Sequence, residues 1–354
     1  MGKPKFSLLA LGIVFSLSAC GSDTAQRSAA PPVIIAPTPT PPTAPPPPPA
    51  PPPSSITSIE RDIAPALTNA ALTDNLSAHF AINPASASMR NRLFVMLPGT
   101  TAIPRFYRLI VRAGAARGFH SIGLTYPNDE AVGTICAFSP RSDCAGEVRS
   151  EIITGIDTSP LVSISQSNSI TGRLVALLTY MHSNYPNEGW SQYLVGGAPN
   201  WSLITVAGHS QGSGHAAFMG KLHVLDRIAM FSGPGDTGNA NGLPAQWTSL
   251  PNATPAARQY GFTHQQDELV PLAAIELNWS QIGLGVFGAS TSVDGRAAPF
   301  GDRRQLTTNI AIPVSPLSPS TAPAHSGTVV DVVTPLTSAG EPLYLPVWNY
   351  MVFP

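Results

Sequence analysis

Charge is scarce in this sequence. Only 11% of its 354 residues are Asp, Glu, Lys or Arg, against roughly a quarter in an ordinary globular chain. Lysine is nearly missing. Three lysines stand beside 16 arginines, and two of the three, Lys3 and Lys5, fall within the first five residues. No basic run occurs beyond them, so the clustered cations that bind phosphate backbones are lacking and a nucleic-acid partner is not expected. Cysteine is equally sparse, at Cys20, Cys136 and Cys144. No Cys/His cluster has zinc spacing, and no calcium loop or phosphate-cradling glycine loop occurs, so neither a metal nor an organic cofactor is expected. A membrane-spanning run is missing too. The apolar stretch Phe6 to Leu17 has 12 residues, and a helix needs roughly 20 to cross a bilayer. What remains is 43% hydrophobic, enough for a sizeable core in one large domain or two modest ones.

The N-terminus has the layout of an export signal, a short basic segment followed by an apolar run. It ends in Leu17-Ser18-Ala19-Cys20, which resembles the lipobox of bacterial lipoproteins. The resemblance implies a signal peptide over 1–19, cleavage before Cys20, acylation of that thiol and anchoring to a membrane; an ordinary secretory leader is the alternative. N-myristoylation does not fit, because position 6 is Phe. Lipidation of Cys20 leaves an even pair, and an exported compartment permits a Cys136–Cys144 disulfide, with two free thiols as the other possibility.

Residues 31–53 hold 14 of the 38 prolines. Such a stretch lacks the donors and side chains for a core, and the 20–55 segment reads as a polyproline II spacer or a disordered tail. The folded domain is expected from about Ile56 to the C-terminus. Within it, strands are expected at Leu93–Leu97, Phe119–Leu124, Ser202–Ala207, Arg227–Phe231 and Ala257–Thr263, with a last one at Asn309–Val314. Helices are expected at Pro104–Arg117, Ser169–Tyr185 and Gln211–Leu222. Alternation of this kind implies an α/β fold with a mostly parallel central sheet and helices on both faces. Chemistry in such sheets gathers beyond the carboxyl ends of the strands. Residues 125–168 and 232–256 are long segments in position to form a cap. Neither shows the strongly amphipathic helix of an interfacial lid, which points away from a true lipase.

The sharpest motif is Gly208-His209-Ser210-Gln211-Gly212. It follows a predicted strand and opens a predicted helix, the context that a G-x-S-x-G match requires. Here the sequence resembles the α/β-hydrolase superfamily of serine esterases and lipases, over roughly residues 90–335. The motif's glycines leave room for a tight turn that pushes the Ser210 hydroxyl into the open at a helix N-terminus. An unaided serine hydroxyl is a poor nucleophile, so a base is needed. The superfamily's chain order, Ser then Asp or Glu then His, implies His325 as the base, in a loop after the last strand, with His264 as the alternative. It implies Asp267 as the acid, with Glu268 and Asp236 as alternatives. His209, His215 and His223 read as packing or surface residues around the turn. The oxyanion donors implied are the amides of Gln211 and of Thr100, in the Leu97-Pro98-Gly99-Thr100-Thr101 turn. Pro98 stands where the superfamily commonly has His, and this leaves Thr100 against Thr101 open.

The expected activity is hydrolysis of a small-molecule or lipid carboxylic ester through an acyl-serine. The same triad serves amidases and acyltransferases, and a tethered, non-catalytic binding lipoprotein would share the fold.

Overall fold

The computed structural model describes residues 57–354 apart from 86–88, 239–241 and 313–321. The export signal, Cys20 and the proline-rich segment lie outside the described residues. Strands run in the order β1 (Ile59–Ile63), β2 (His79–Asn83), β3 (Leu93–Leu97), β4 (His120–Gly123), β5 (Leu194–Val195), β6 (Ala198–Pro199), β7 (Ile204–His209), β8 (Arg227–Phe231), β9 (Gln259–His264), β10 (Thr291–Ser292) and β11 (Gln305–Thr308). The helices are α1 (Pro65–Thr68), α2 (Arg108–Ala116), α3 (Val132–Ile135), α4 (Cys144–Thr154), α5 (Ile170–Asn184), α6 (Gln211–Leu222), α7 (Leu272–Ile282), α8 (Pro323–Gly327) and α9 (Leu345–Met351).

Nine strands form one sheet in the order β1-β2-β4-β3-β7-β8-β9-β11-β10, while β5 and β6 pair separately. Only β2 runs against its neighbours β1 and β4; the other pairings of the sheet are parallel. The fold is therefore α/β with a mostly parallel central sheet. Alternate residues of each strand feed two apolar layers. Leu93, Val95 and Leu97 of β3, Val206 of β7 and Met230 of β8 pack on the side of α4, α5, α6 and α7. Phe94, Met96, Ala207 and Phe231 face α2 and α9. Helix α5 shows the sequence logic at work. Ser169 caps it by accepting the Gly172 amide at 3.0 Å, and Leu174, Leu177, Leu178 and Met181 form one fully buried face. Each such side chain contributes roughly 1.5–3 kcal/mol. Among the described residues no helix is long and apolar enough to cross a membrane.

Two expectations are corrected. The last parallel strand next to β9 is Gln305–Thr308, not Asn309–Val314; Pro313 and Val314 lie outside the described residues. The segment is polar, yet it is buried because its groups are satisfied. Gln305 donates to the Gly288 carbonyl at 2.9 Å and Thr308 to Asp294 at 2.6 Å. His325 sits on helix α8 rather than in a loop. Pro323 supplies the preset φ of a first helical turn, and the Glu268 carboxylate accepts the Ala324 and His325 amides at 2.9 and 2.8 Å.

The parallel register sets the site. Leu97 pairs with Gly208, and His209 with Phe231. The carboxyl ends of β3, β7, β8 and β9 thus open on one edge, and the turns carrying Gly99, Ser210, Ser232 and Asp267 leave from it.

Candidate active site

Strand β7 passes into α6 through Ser210 alone, which adopts φ 54° and ψ −118°. A non-glycine residue held there costs on the order of 1–3 kcal/mol and needs support from its surroundings. The Ser210 amide donates to the Phe231 carbonyl at 2.9 Å, and its carbonyl accepts the Ser213 hydroxyl at 2.6 Å. The two flanking glycines are sterically required. A Cβ on Gly208 would lie 2.0 Å from the Gly212 oxygen, and one on Gly212 would lie 2.3 Å from the Leu97 oxygen.

Asp267 leaves the end of β9 and meets the imidazole of His325, whose Nδ1 lies 2.9 and 2.8 Å from the two carboxylate oxygens. Both side chains are buried. The Leu269 and Val270 amides also donate to Asp267 Oδ1, each at 2.9 Å. Burial pushes this carboxyl up, but the hydrogen bond and charge of His325, together with the two amides, outweigh it and hold the group below the usual carboxylate range. His325 Nε2 is buried without a hydrogen-bond partner among the described residues. It shares with Ser210 a cavity of about 810 Å³. No hydrogen bond joins Ser210 Oγ to that nitrogen.

The alternatives weighed from the sequence are engaged elsewhere. His264 Nε2 lies 3.0 Å from the Ile310 carbonyl, and its Nδ1 accepts the Gln266 amide at 3.0 Å. Glu268 caps α8 through the amides of Ala324 and His325 and so braces the backbone that carries the His325 imidazole. Asp236 forms a bidentate pair with Arg149, at 2.5 and 2.6 Å.

The Gln211 amide opens α6, where the first N–H groups have no intrahelical acceptor. In the turn after β3, the Thr101 amide donates to the Asn128 carbonyl and the Gly99 amide to the Tyr107 hydroxyl. The Thr100 amide has no partner among the described residues. Thr100 Oγ1 lies 2.7 Å from Gln211 Oε1, so the two residues whose amides are available touch through their side chains.

Several participants carry no sequence signal. His209, read as packing, is a tether. Its Nε2 donates to the His325 carbonyl at 3.0 Å and its Nδ1 accepts from the Tyr107 hydroxyl at 3.0 Å. Burial, then the adjacent His325, push its pKa down to about 3, so this ring is neutral. The Ser232 hydroxyl donates to the same His325 carbonyl at 2.6 Å. These partners lie 93 to 116 residues apart along the chain, beyond any local pattern. Arg149 of α4 donates to the Gln211 carbonyl at 3.0 Å as well as to Asp236, and Trp247 Nε1 donates to Asp236 at 2.8 Å. The two segments expected as a cap, 125–168 and 232–256, are thus joined by a buried ion pair. Helix α4 packs into the core through Val148, Ile152 and Ile153, and both segments form cavity wall. A disulfide joins Cys136 to Cys144, tying α3 to the start of α4. No group of three His, Cys, Asp or Glu able to hold a metal occurs among the described residues.

Neither a protein-family model nor a curated protein sequence matches this chain.

Proposed function

We propose that this protein is a serine hydrolase of the α/β-hydrolase type that cleaves carboxylic esters through an acyl-serine. One observation carries the reading. A buried imidazole, oriented by a carboxylate at Nδ1 and unpartnered at Nε2, lines the same cavity as a serine held on a strained strand-to-helix turn. The chain order Ser210, Asp267, His325 agrees with it.

In this mechanism Ser210 Oγ attacks the ester carbonyl while its proton passes to His325 Nε2. Asp267 stabilises the imidazolium and keeps the Nδ1–H tautomer. The Gln211 and Thr100 amides hold the oxyanion. Collapse breaks the C–O bond, and the alcohol leaves with the proton from Nε2. Water then repeats the sequence on the acyl-serine, releasing the acid and restoring Ser210. The Oγ–Nε2 contact forms with substrate in place, as such bonds tighten on going from free enzyme to complex.

The cavity's charges favour an uncharged ester. Arg149 and Asp236 neutralise each other, as do His325 and Asp267 during turnover, and the exposed Phe106, Leu269 and Val332 give the lining an apolar rim. In the same reading the enzyme is exported and anchored through Cys20. The lipobox-like sequence supports this, as does a disulfide of the kind favoured outside the cytosol. Palmitate incorporation that persists in Cys20→Ser would refute the anchor. For the activity, stoichiometric labelling by a fluorophosphonate and turnover of short p-nitrophenyl esters are both expected to vanish in Ser210→Ala. Wild-type rates in that variant would overturn the assignment.

A further inference from the structure

We propose that the Thr100 hydroxyl is a third donor to the oxyanion, kept in donor orientation by a polarised hydrogen-bond chain that begins at the buried guanidinium of Arg149. The proposal rests on the serine-hydrolase reading above.

Donor and acceptor polarity along the chain fixes which way the hydroxyl points its proton. Arg149 Nη1 lies 3.4 Å from His215 Nδ1. A guanidinium has only N–H donors, so Nδ1 must offer its lone pair. His215 is fully buried. Burial first, and the Arg149 charge second, push its pKa well below the ordinary histidine value. The ring is neutral and its single proton sits on Nε2. That nitrogen lies 3.5 Å from the Gln211 carboxamide nitrogen, which would set donor against donor. The two ends of a carboxamide have the same shape and are told apart by their partners. The oxygen therefore belongs toward His215, and the nitrogen toward Thr100 Oγ1, which is 2.7 Å from the other end.

With this polarity Thr100 Oγ1 accepts from Gln211, and its own proton is left for another acceptor. Thr100 lines the cavity, and its hydroxyl belongs to one of the two residues proposed as amide donors and touches the side chain of the other. With the opposite polarity the proton would go to Gln211, and the hydroxyl would present a lone pair to the developing negative charge. The chain from Arg149 to His215 to Gln211 to Thr100 thus decides whether the hydroxyl attracts or repels the oxyanion. No other role is evident for the contact between Arg149 and His215, since the Asp236 carboxylate already balances the arginine.

Two measurements test this on the full chain. Nitrogen-15 NMR of His215 is expected to show the Nε2-protonated tautomer; an Nδ1-protonated ring overturns the proposal whatever the enzyme does. Thr100→Val keeps the amide and the shape but removes the hydroxyl. It is expected to lower kcat on a p-nitrophenyl ester about 100-fold with KM changed by less than about 3-fold, while Thr100→Ser restores most of the rate. If wild type turns over but Thr100→Val keeps kcat within about 3-fold, the third donor is refuted and the hydrolase reading stands. If wild type shows neither turnover nor fluorophosphonate labelling, the hydrolase reading fails and takes this donor with it.

Discussion

Replacing Asp267 with asparagine exchanges one carboxylate oxygen for an NH2 group, and the hydrogen bonds around that carboxylate dictate where the new group points. Asp267 Oδ1 accepts two backbone amides, from Leu269 and Val270, while Oδ2 lies 2.8 Å from His325 Nδ1. The amides only donate, so asparagine keeps its oxygen at their position and turns its NH2 toward the imidazole. A protonated Nδ1 would then meet a donor at 2.8 Å, with its one remaining acceptor, Oδ1 at 2.9 Å, already shared by two amides. The ring escapes by moving its proton to Nε2, and the proposed base loses the lone pair it needs. In a triad of this design the wrong tautomer costs about 10⁴-fold in kcat, or about 5.5 kcal/mol of transition-state stabilisation. Steady-state turnover of p-nitrophenyl butyrate by Asp267→Asn measures the loss, and thermal unfolding serves as the control. Tm should move by only a few degrees, because both amides keep their acceptor. A variant that folds with an unchanged Tm and retains kcat within tenfold of wild type would refute the role given to Asp267.

Stability should fall as pH drops from 6.5 toward 4. Burial lowers His79 and His209 to about 3 and His120 to about 4, and holds His215 well below its ordinary value. The unfolded chain therefore binds protons near pH 6.5 that the folded chain refuses. Asp331, raised to about 6 by burial, works the other way by one proton. The net of about three protons gives a slope of about 4 kcal/mol per pH unit at its steepest; urea midpoints that stay level from pH 7 to 4.5 would contradict it. Arg149→Met should destabilise by about 3–5 kcal/mol, since it strands the buried Asp236 carboxylate. Replacing both partners with apolar residues should recover most of that loss in denaturant unfolding, and a double variant no more stable than the single one would count against the ion-pair account.

The interior of the sheet was legible in the sequence because its strands are short apolar runs. β3, β4, β7, β8 and β9 all fall within two residues of the expected spans. The edges were not. β1, Ile59-Glu60-Arg61-Asp62-Ile63, is charged because its outer side chains meet solvent and arginines: Asp62 pairs with Arg108 and Glu60 with Arg112. β11 is polar because neighbouring loops satisfy it. At the candidate site, the turn that carries Ser210 is a local pattern and could be read as one. The tether through Tyr107 and His209, the Glu268 cap and the Arg149 clamp are tertiary contacts between distant residues, and no periodicity or spacing encodes them.

Because His209 precedes Ser210 in the chain and is bonded to the main chain of His325, one imidazole links the two ends of the proposed reaction axis. In the proposed mechanism, a displacement of α8 would therefore pull directly on the turn that carries Ser210.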